Sequence, residues 1–308
     1  MRLVSYRTPP AFGEEPGRQE RLGVELDGRV VPAAELIAAG PVTMADLLAG
    51  LPGSLDALRR AWNERGPALA AEGMPTDDLE LLPPVPRPGK IVAIGINFRS
   101  HAQEQGREPP TSPVIFAKFA SALVGHRAEI LWDPGLTQAV DFEAELAVVI
   151  GLSARRVSER QALDHVLGYT CLNDVTARDL QYADRQFVRG KSLDSFGPMG
   201  PALVTADEVD DPQALSLRCL VNGEVMQEAS TAEMIFGVAQ LISFCSQAFT
   251  LEPGDVIATG TPAGVGWFRA PKQVLHDGDD VVVEIERIGL LANRCREEQV
   301  AGVSPSES

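Results

Sequence analysis

Four prolines fall within the nine residues Leu81–Gly89. Proline fixes φ and lacks a backbone donor, so this segment can be neither a helix interior nor a central strand and must run as a stiff extended connector. It separates residues 1–80, read as a small N-terminal unit, from a longer remainder of different texture. Before it, Leu22–Val31 alternates around Asp27-Gly28, a hairpin signal. Helical spacing follows over Met44–Leu48 and over Ser54–Trp62, where Leu55, Leu58 and Trp62 recur. After the connector come short β-rich runs broken by glycine: Lys90–Gly95, Val114–Phe119, Asp141–Ile150, Ala202–Val204, Leu217–Asn222, Asp255–Gly260 and Asp280–Glu286. Asn222-Gly223 predicts a second hairpin turn. Helices are expected from Ser158, with Gln161 completing a capping box, and from Ser230 with Glu233, the latter carrying Met234, Ile235, Val238, Leu241, Ile242 and Cys245 on its apolar side. Without regular βαβ alternation the pattern predicts an α+β or mainly β fold, not a Rossmann sheet. Residues 298–308 read as a polar tail.

Charge narrows the function classes. Among 308 residues, 27 Lys+Arg face 43 Asp+Glu, a net charge of −16. Nucleic acid needs clustered cations, and anionic membrane surfaces repel an acidic protein, so neither is an expected partner. The longest apolar stretch, Leu146–Leu152, falls far short of the roughly 18 residues of a bilayer span. No apolar signal core precedes the first prolines, which predicts a cytoplasmic protein. The four cysteines, Cys171, Cys219, Cys245 and Cys295, lack the paired spacing of zinc or redox sites and read as core thiols.

Three constellations could carry chemistry. In Asp141-Phe-Glu143-Ala-Glu145-Leu-Ala-Val-Val-Ile-Gly a strand sets Glu143 and Glu145 on one face, roughly 7 Å apart, while Phe142, Ala144, Leu146, Val148 and Ile150 face a core. Two carboxylates beside apolar cover need a cation or protons to neutralise them, and their oxygens suit Mg²⁺, Mn²⁺ or Ca²⁺; a solvated strand end is the plain alternative. Asp174, where the run Gly168–Leu172 gives way to a loop, is a candidate third ligand or simply a helix N-cap. In Gly95-Ile-Asn97-Phe-Arg99-Ser-His101-Ala-Gln-Glu104, Ser100 could cap a short helix on which His101 and Glu104 share a face, as a general-base dyad or as a surface ion pair. Two loops complete the set. Arg178–Lys191 carries four cations (Arg178, Arg185, Arg189, Lys191) against two acids, an island that could hold an anion or be merely solvated. Ala258-Thr-Gly260-Thr261-Pro262-Ala-Gly264-Val-Gly266 has exposed amides and a hydroxyl suited to a carboxylate but matches no phosphate-loop pattern.

Taken together and in order, Gly-x-Asn-x-x-x-His, Asp-x-Glu-x-Glu-Leu-Ala-Val-Val-Ile-Gly, Asn-Asp-x-x-Ala-Arg-Asp-x-Gln, Gly-Lys-Ser and Gly-Thr-Pro-x-Gly-Val-Gly resemble the fumarylacetoacetate hydrolase superfamily, over about Lys90 to Glu297. The resemblance implies a catalytic domain over residues 90–297 built as a mixed β-sandwich roll, behind the linker 81–89 and a small, variable N-terminal α/β domain. It implies a homodimer with one Mg²⁺ or Mn²⁺ per subunit, held by Glu143, Glu145 and Asp174. His101 and Glu104 would form a dyad on a mobile lid, with Lys191 as the third catalytic group; Arg178, Gln181 and Thr261 would line the pocket. Arg185, in a segment that varies among members, is read as a selector for an acidic substrate end. The implied activity is hydrolysis of a C–C bond in an acylpyruvate-type 2,4-diketo acid through an enolate stabilised by the dication. Decarboxylation of oxaloacetate-like acids, or isomerisation or decarboxylation of hydroxy-dienedioates, would use the same residues. An aldolase or dehydratase acting on keto acids and a non-catalytic metal-binding homologue are the remaining alternatives. Three carboxylates around a dication leave one negative charge, which raises the question of how so acidic a protein captures an organic acid.

Overall fold

A computed structural model describes residues 1–8 and 19–298; the expected polar tail beyond Glu298 lies outside them. The structure is mixed and mainly strand, as the sequence predicts. Its largest sheet runs in the order Met74–Pro75, Arg29–Pro32, Arg21–Leu26, Arg2–Arg7, Gly197–Thr205, Val166–Asn173, Ala144–Ile150, Val256–Ala258, Ile91–Gly95, Val114–Ala117. A second sheet orders Glu224–Ser230, Ser216–Val221, Asp280–Ile285, Gly289–Glu297 and Glu129–Trp132.

The proline-rich connector divides the sequence but not the sheet. Arg2 and Leu3 pair with Val204 and Leu203, so strands from before and after the connector share one hydrogen-bonded ladder. Both faces of that ladder are buried. Phe142, Ala144, Leu146, Val148 and Ile150 pack with Leu217, Cys219, Val281 and Val283 of the second sheet and with Leu241, Ile242 and Cys245 of the helix Val238–Ala248. Ala147 and Val149 point the other way, into a cluster with Leu36, Met44, Leu47 and Leu58 of the N-terminal helices. A strand covered on both sides must be apolar almost throughout, and Ala144–Ile150 is. All four cysteines are buried and free, and among the described residues no helix is long and apolar enough to cross a membrane.

Local turns follow their dipeptides. Asp27-Gly28 (φ 50° and 78°) and Asn222-Gly223 (φ 51° and 81°) adopt positive φ at both positions and close the two expected hairpins. Three expectations change. The helix after Ser158, Glu159–Ala162, forms without a side-chain cap bond. Ser230 and Glu233 form their capping box, but around a single 3₁₀ turn, Thr231–Glu233; the chain then extends, and the helix starts at Val238. Asn97 is the cause: its carbonyl oxygen accepts from Ile235 N at 2.7 Å, its side-chain oxygen accepts from Phe236 N at 2.9 Å, and its amide donates to Phe236 O and Thr259 O. The expected strand Asp141–Ile150 is also interrupted at Phe142-Glu143. There, side chains take the place of a partner strand: Glu143 N donates to Asn173 Oδ1 and Ala144 N to Gln227 Oε1.

Candidate active site

The break in the strand brings the three carboxylates together. Glu143 N–H is held by Asn173 and Glu143 O accepts from Asp174 N at 2.9 Å, which ties the end of Val166–Asn173 to the start of Ala144–Ile150. Glu143, Glu145 and Asp174, all buried, offer one oxygen each within 4.8 Å of one another. Asp174 does not cap a helix; the next one runs from Arg178 to Asp184 with Ala177 at its N-cap.

Three buried cations surround the acids. Lys191, at the end of the short helix Val188–Lys191, donates to Glu143 Oε2 (2.9 Å), Asp174 Oδ2 (2.7 Å) and Thr176 Oγ1 (2.8 Å). Gly190 permits this seat, since a Cβ there would lie 2.8 Å from Ala177 O. Arg178 reaches Asp141 Oδ2 at 2.8 Å and Glu143 Oε1 at 2.7 Å. Lys118 lies 2.9 Å from Asp174 Oδ1, but off the hydrogen-bond direction, so that oxygen has an ion-pair neighbour and no hydrogen bond. Neither Asp141 nor Lys118 stood out in the sequence as a site residue. Lys118 sits in an ordinary β-run of the sequence, and its depth and its bonds to Lys191 O and to Phe196 O (2.8 Å) mark it as built in.

Charge compensation is uneven. Burial works to raise the Glu143 carboxyl, but Lys191 and Arg178 outweigh it and hold the group at about 2. Glu145 has no cation of its own: burial, then the charges of Asp174 and Glu143, push it well above the usual carboxylate range, and its hydrogen bond is from Gly260 N at 2.9 Å. Burial alone would lower Lys191, yet Asp174 and Glu143 hold its ammonium above the ordinary value. Lys118, with burial dominant, is lowered. Four carboxylates (Asp141, Glu143, Glu145, Asp174) against three cations leave one negative charge, so a proton on Glu145 makes the cluster neutral and a dication in its place makes it singly positive. The three carboxylates, with Glu145 lacking a cation and an Asp174 oxygen lacking a hydrogen bond, fit a hard divalent ion.

Glu143, Arg178, Gln181, Lys191, Thr261 and His101 line one cavity, walled on its apolar side by Phe116, Phe187 and Phe268. Gln181 Oε1 accepts from Arg178 at 3.1 Å. Thr261 Oγ1 donates to Ala144 O and accepts from Gln227 Nε2, a glutamine that the Asn222-Gly223 hairpin delivers and that sequence reading passed over. The basic island is split by the fold. Arg178 and Lys191 enter the cavity, Arg189 pairs outside with Asp184, and Arg185 caps the helix end, exposed, at φ 55°. Arg185 is not among the residues that line the cavity.

His101 and Glu104 meet as expected, Nδ1 to Oε1 at 2.5 Å, on the helix Arg99–Glu104. The helix starts two residues earlier than expected, with Phe98 at its N-cap; Ser100 instead accepts from Ala263 N. Glu104 Oε2 accepts from Gly264 N at 2.9 Å, so the glycine loop anchors the dyad. Gly264 stands at φ 102°, where a Cβ would lie 2.2 Å from Met226 O, and no other residue fits.

The family model "Fumarylacetoacetate (FAA) hydrolase C-terminal" matches residues 90–296. The chain is 42% identical over 296 residues to the mitochondrial oxaloacetate tautomerase FAHD2A of Bos taurus, covering 96% of this chain and 91% of the relative. The solved maleylpyruvate hydrolase of Sphingobium sp. SYK-6, in complex with manganese(II) and pyruvate, superposes with a TM-score of 0.77 at 31% identity, over 97% of this chain and all of that one. The 2-hydroxyhepta-2,4-diene-1,7-dioate isomerase of Mycobacterium marinum gives 0.70 at 33%, over 97% and 99%. With the motifs of its sequence brought into one cavity by a shared fold, this chain belongs to the fumarylacetoacetate hydrolase family of enzymes.

Proposed function

We propose that the protein is a divalent-cation-dependent keto–enol tautomerase of a short 2-oxo dicarboxylic acid of the oxaloacetate type. The observation that carries this reading is the placing of a carboxylate-backed histidine on the same cavity wall as Arg178, Lys191 and Glu143, the member of the acidic triad that reaches the cavity. The tautomerase relatives, alike over nearly the whole chain, support the substrate class.

Each residue then has a task that follows from its contacts. Glu143, Glu145 and Asp174 would hold Mg²⁺ or Mn²⁺. Bound there, the ion would act as a Lewis acid on the 2-oxo group and stabilise negative charge on its oxygen. Arg178 and Lys191 draw in the anion, and Gln181 and Thr261 orient it by hydrogen bonds. Glu104 takes the Nδ1 proton of His101 as a hydrogen bond, which leaves Nε2 as the basic nitrogen. His101 Nε2 then moves the proton between the enol oxygen and the adjacent carbon. Phe116, Phe187 and Phe268 limit water at that carbon.

Hydrolysis of an acylpyruvate, the activity expected from the sequence, is the second reading. The same dyad and the likeness to the maleylpyruvate hydrolase favour it. Loss of the enol absorbance of oxaloacetate, measured beside hydrolysis of acetylpyruvate with Mn²⁺ present, separates the two. Faster tautomerisation with weak hydrolysis supports the first; the reverse establishes the second. In either case His101→Ala should retain Mn²⁺ and lose ~10²–10⁴ in rate, and an unchanged rate would remove the dyad from the mechanism.

We also propose the homodimer that the family resemblance implies. Strand Val114–Ala117 ends the large sheet, and Val114, Ile115 and nearby Phe119 are exposed, an apolar sheet edge that a second copy would cover.

A further inference from the structure

The dyad helix Arg99–Glu104 carries a contact that the proposed chemistry does not use. Gln105, the residue after its last turn, places its side-chain amide nitrogen 2.7 Å from His101 Nε2 and itself lines the cavity. The chemistry of the ring fixes the sense of this bond. A neutral imidazole has one proton, and Glu104 Oε1 holds it at Nδ1. Nε2 is then a lone pair, and the group that satisfies it is the glutamine NH₂. Both ring nitrogens are thus occupied, one by a carboxylate that must stay for the base to work and one by a neutral amide that can leave. The ring's own setting restricts other access: His101 is 5% exposed, and Phe268 packs edge-on against it at 6.0 Å between centroids.

We propose that Gln105 is a positioning residue that decides which reaction the dyad performs, by occupying the place at His101 Nε2 where a water would otherwise sit. This rests on the tautomerase reading above. Tautomerisation needs no water. The enol O–H bond breaks, a C–H bond forms at the neighbouring carbon, and nothing is consumed. Hydrolysis of a diketo acid does need one. Water's oxygen bonds to the distal carbonyl carbon while Nε2 takes its proton; the C–C bond breaks with its electron pair left on the 2-oxo acid fragment, and the proton passes to that carbon. With the amide on Nε2, a substrate that displaces Gln105 meets the base directly, whereas a water has no held position beside it. Gln105 is the first residue beyond the helix and Gly106 follows at φ 64°, a hinge about which the amide can swing.

The test compares Gln105→Ala, which empties the place at Nε2, with Gln105→Met, which fills it without a hydrogen bond. Oxaloacetate tautomerisation and acetylpyruvate hydrolysis are followed on each Mn²⁺-loaded enzyme. The ratio of hydrolysis to tautomerisation should rise tenfold or more in Gln105→Ala through kcat for hydrolysis, with KM little changed, and stay within about twofold of wild type in Gln105→Met. An unchanged ratio in Gln105→Ala, or a parallel loss of both activities in the two variants, overturns the proposal. A second arm needs no substrate: in ¹⁵N-histidine-labelled protein the His101 Nε2 resonance should move toward the value of a free acceptor nitrogen in Gln105→Ala, and no movement overturns it. A wild-type enzyme that fails to tautomerise oxaloacetate defeats the reading of function, while the resonance arm still decides the contact.

Discussion

Glu145 is the residue on which the candidate site turns. Its carboxyl is raised by burial and by two neighbouring acids, so the metal-free folded protein holds a proton there that the unfolded chain releases near the ordinary carboxylate value. A raised carboxyl contributes stability that is fully present below that ordinary value and is lost as pH rises through the folded one. The metal-free protein should therefore lose stability as pH climbs above about 4.5, by up to about 1.4 kcal/mol per unit, and Mn²⁺ should abolish the loss by replacing the proton. Mn²⁺ affinity should in turn rise about tenfold per pH unit through the same window. Calorimetry in two buffers of different ionisation enthalpy reads the released proton, and binding with no proton release would contradict this account. Glu143 has the opposite sign: held at about 2, it stabilises the fold above the ordinary carboxylate value, and that contribution is lost on acidification toward 2. Much of this was legible in advance. Two glutamates at i and i+2 beside apolar neighbours, and a histidine three residues from a glutamate, named four of the residues that the fold gathers at or beside one cavity. Lys118, Asp141 and Gln227 were not legible, because each earns its meaning from a partner distant in sequence: Asp174, Arg178 and Thr261. Nor was the position of Arg185, exposed beyond the helix end, legible, for the converse reason. Charge composition places a cation near a site, but only the end of the helix Arg178–Asp184 decides that its side chain faces solvent.

Among the elements, the segment Met234–Gly237 shows where periodicity misleads. Apolar spacing and a capping box predicted one helix from Ser230, and the box does form, yet Asn97 holds Ile235 and Phe236 extended. Met234 there bridges to Phe98, the N-cap of the dyad helix. Losing those helical bonds is tolerated because Asn97 satisfies three buried backbone groups, two on this segment and Thr259 O on the glycine loop. Asn97→Ala would orphan all three, at a cost of about 3 kcal/mol or more, and should lower Tm by roughly 6–12 °C. It should also reduce activity more than metal binding, since Asn97 ties the dyad helix to the loop that anchors Glu104. A Tm within about 2 °C of wild type would show that water replaces the amide. The hairpins at Asp27-Gly28 and Asn222-Gly223 were read correctly because a type I′ turn is specified by the two residues that form it, with no help from elsewhere in the chain.

At the scale of the whole molecule, the proline connector suggested an N-terminal unit set apart, whereas the strand ladder runs straight across it. Residues 90–297 expressed alone would lose one of the two strand partners of Gly197–Thr205 in the large sheet and uncover Ala147 and Val149, so we expect an aggregating or unfolded product; a folded, active fragment would show the N-terminal strands to be dispensable. Net charge is the other molecular property. At −16 the protein repels a dicarboxylate at long range, while three buried cations, together with the dication proposed for the triad, would make the site locally attractive. Screening removes the first effect before the second, so kcat/KM should rise a few-fold between low and physiological ionic strength, and a steep fall would mean that the substrate is steered by a positive field. In the proposed function the buried triad holds the cation on which oxo-acid proton transfer depends. Titrating metal-free protein with Mn²⁺ while following the decay of enol oxaloacetate reads that dependence. Acceleration that grows to a plateau at one ion per chain, and is absent from Glu145→Gln at the same concentrations, is the predicted result; full activity in the metal-free protein, or an undiminished response in Glu145→Gln, would contradict it.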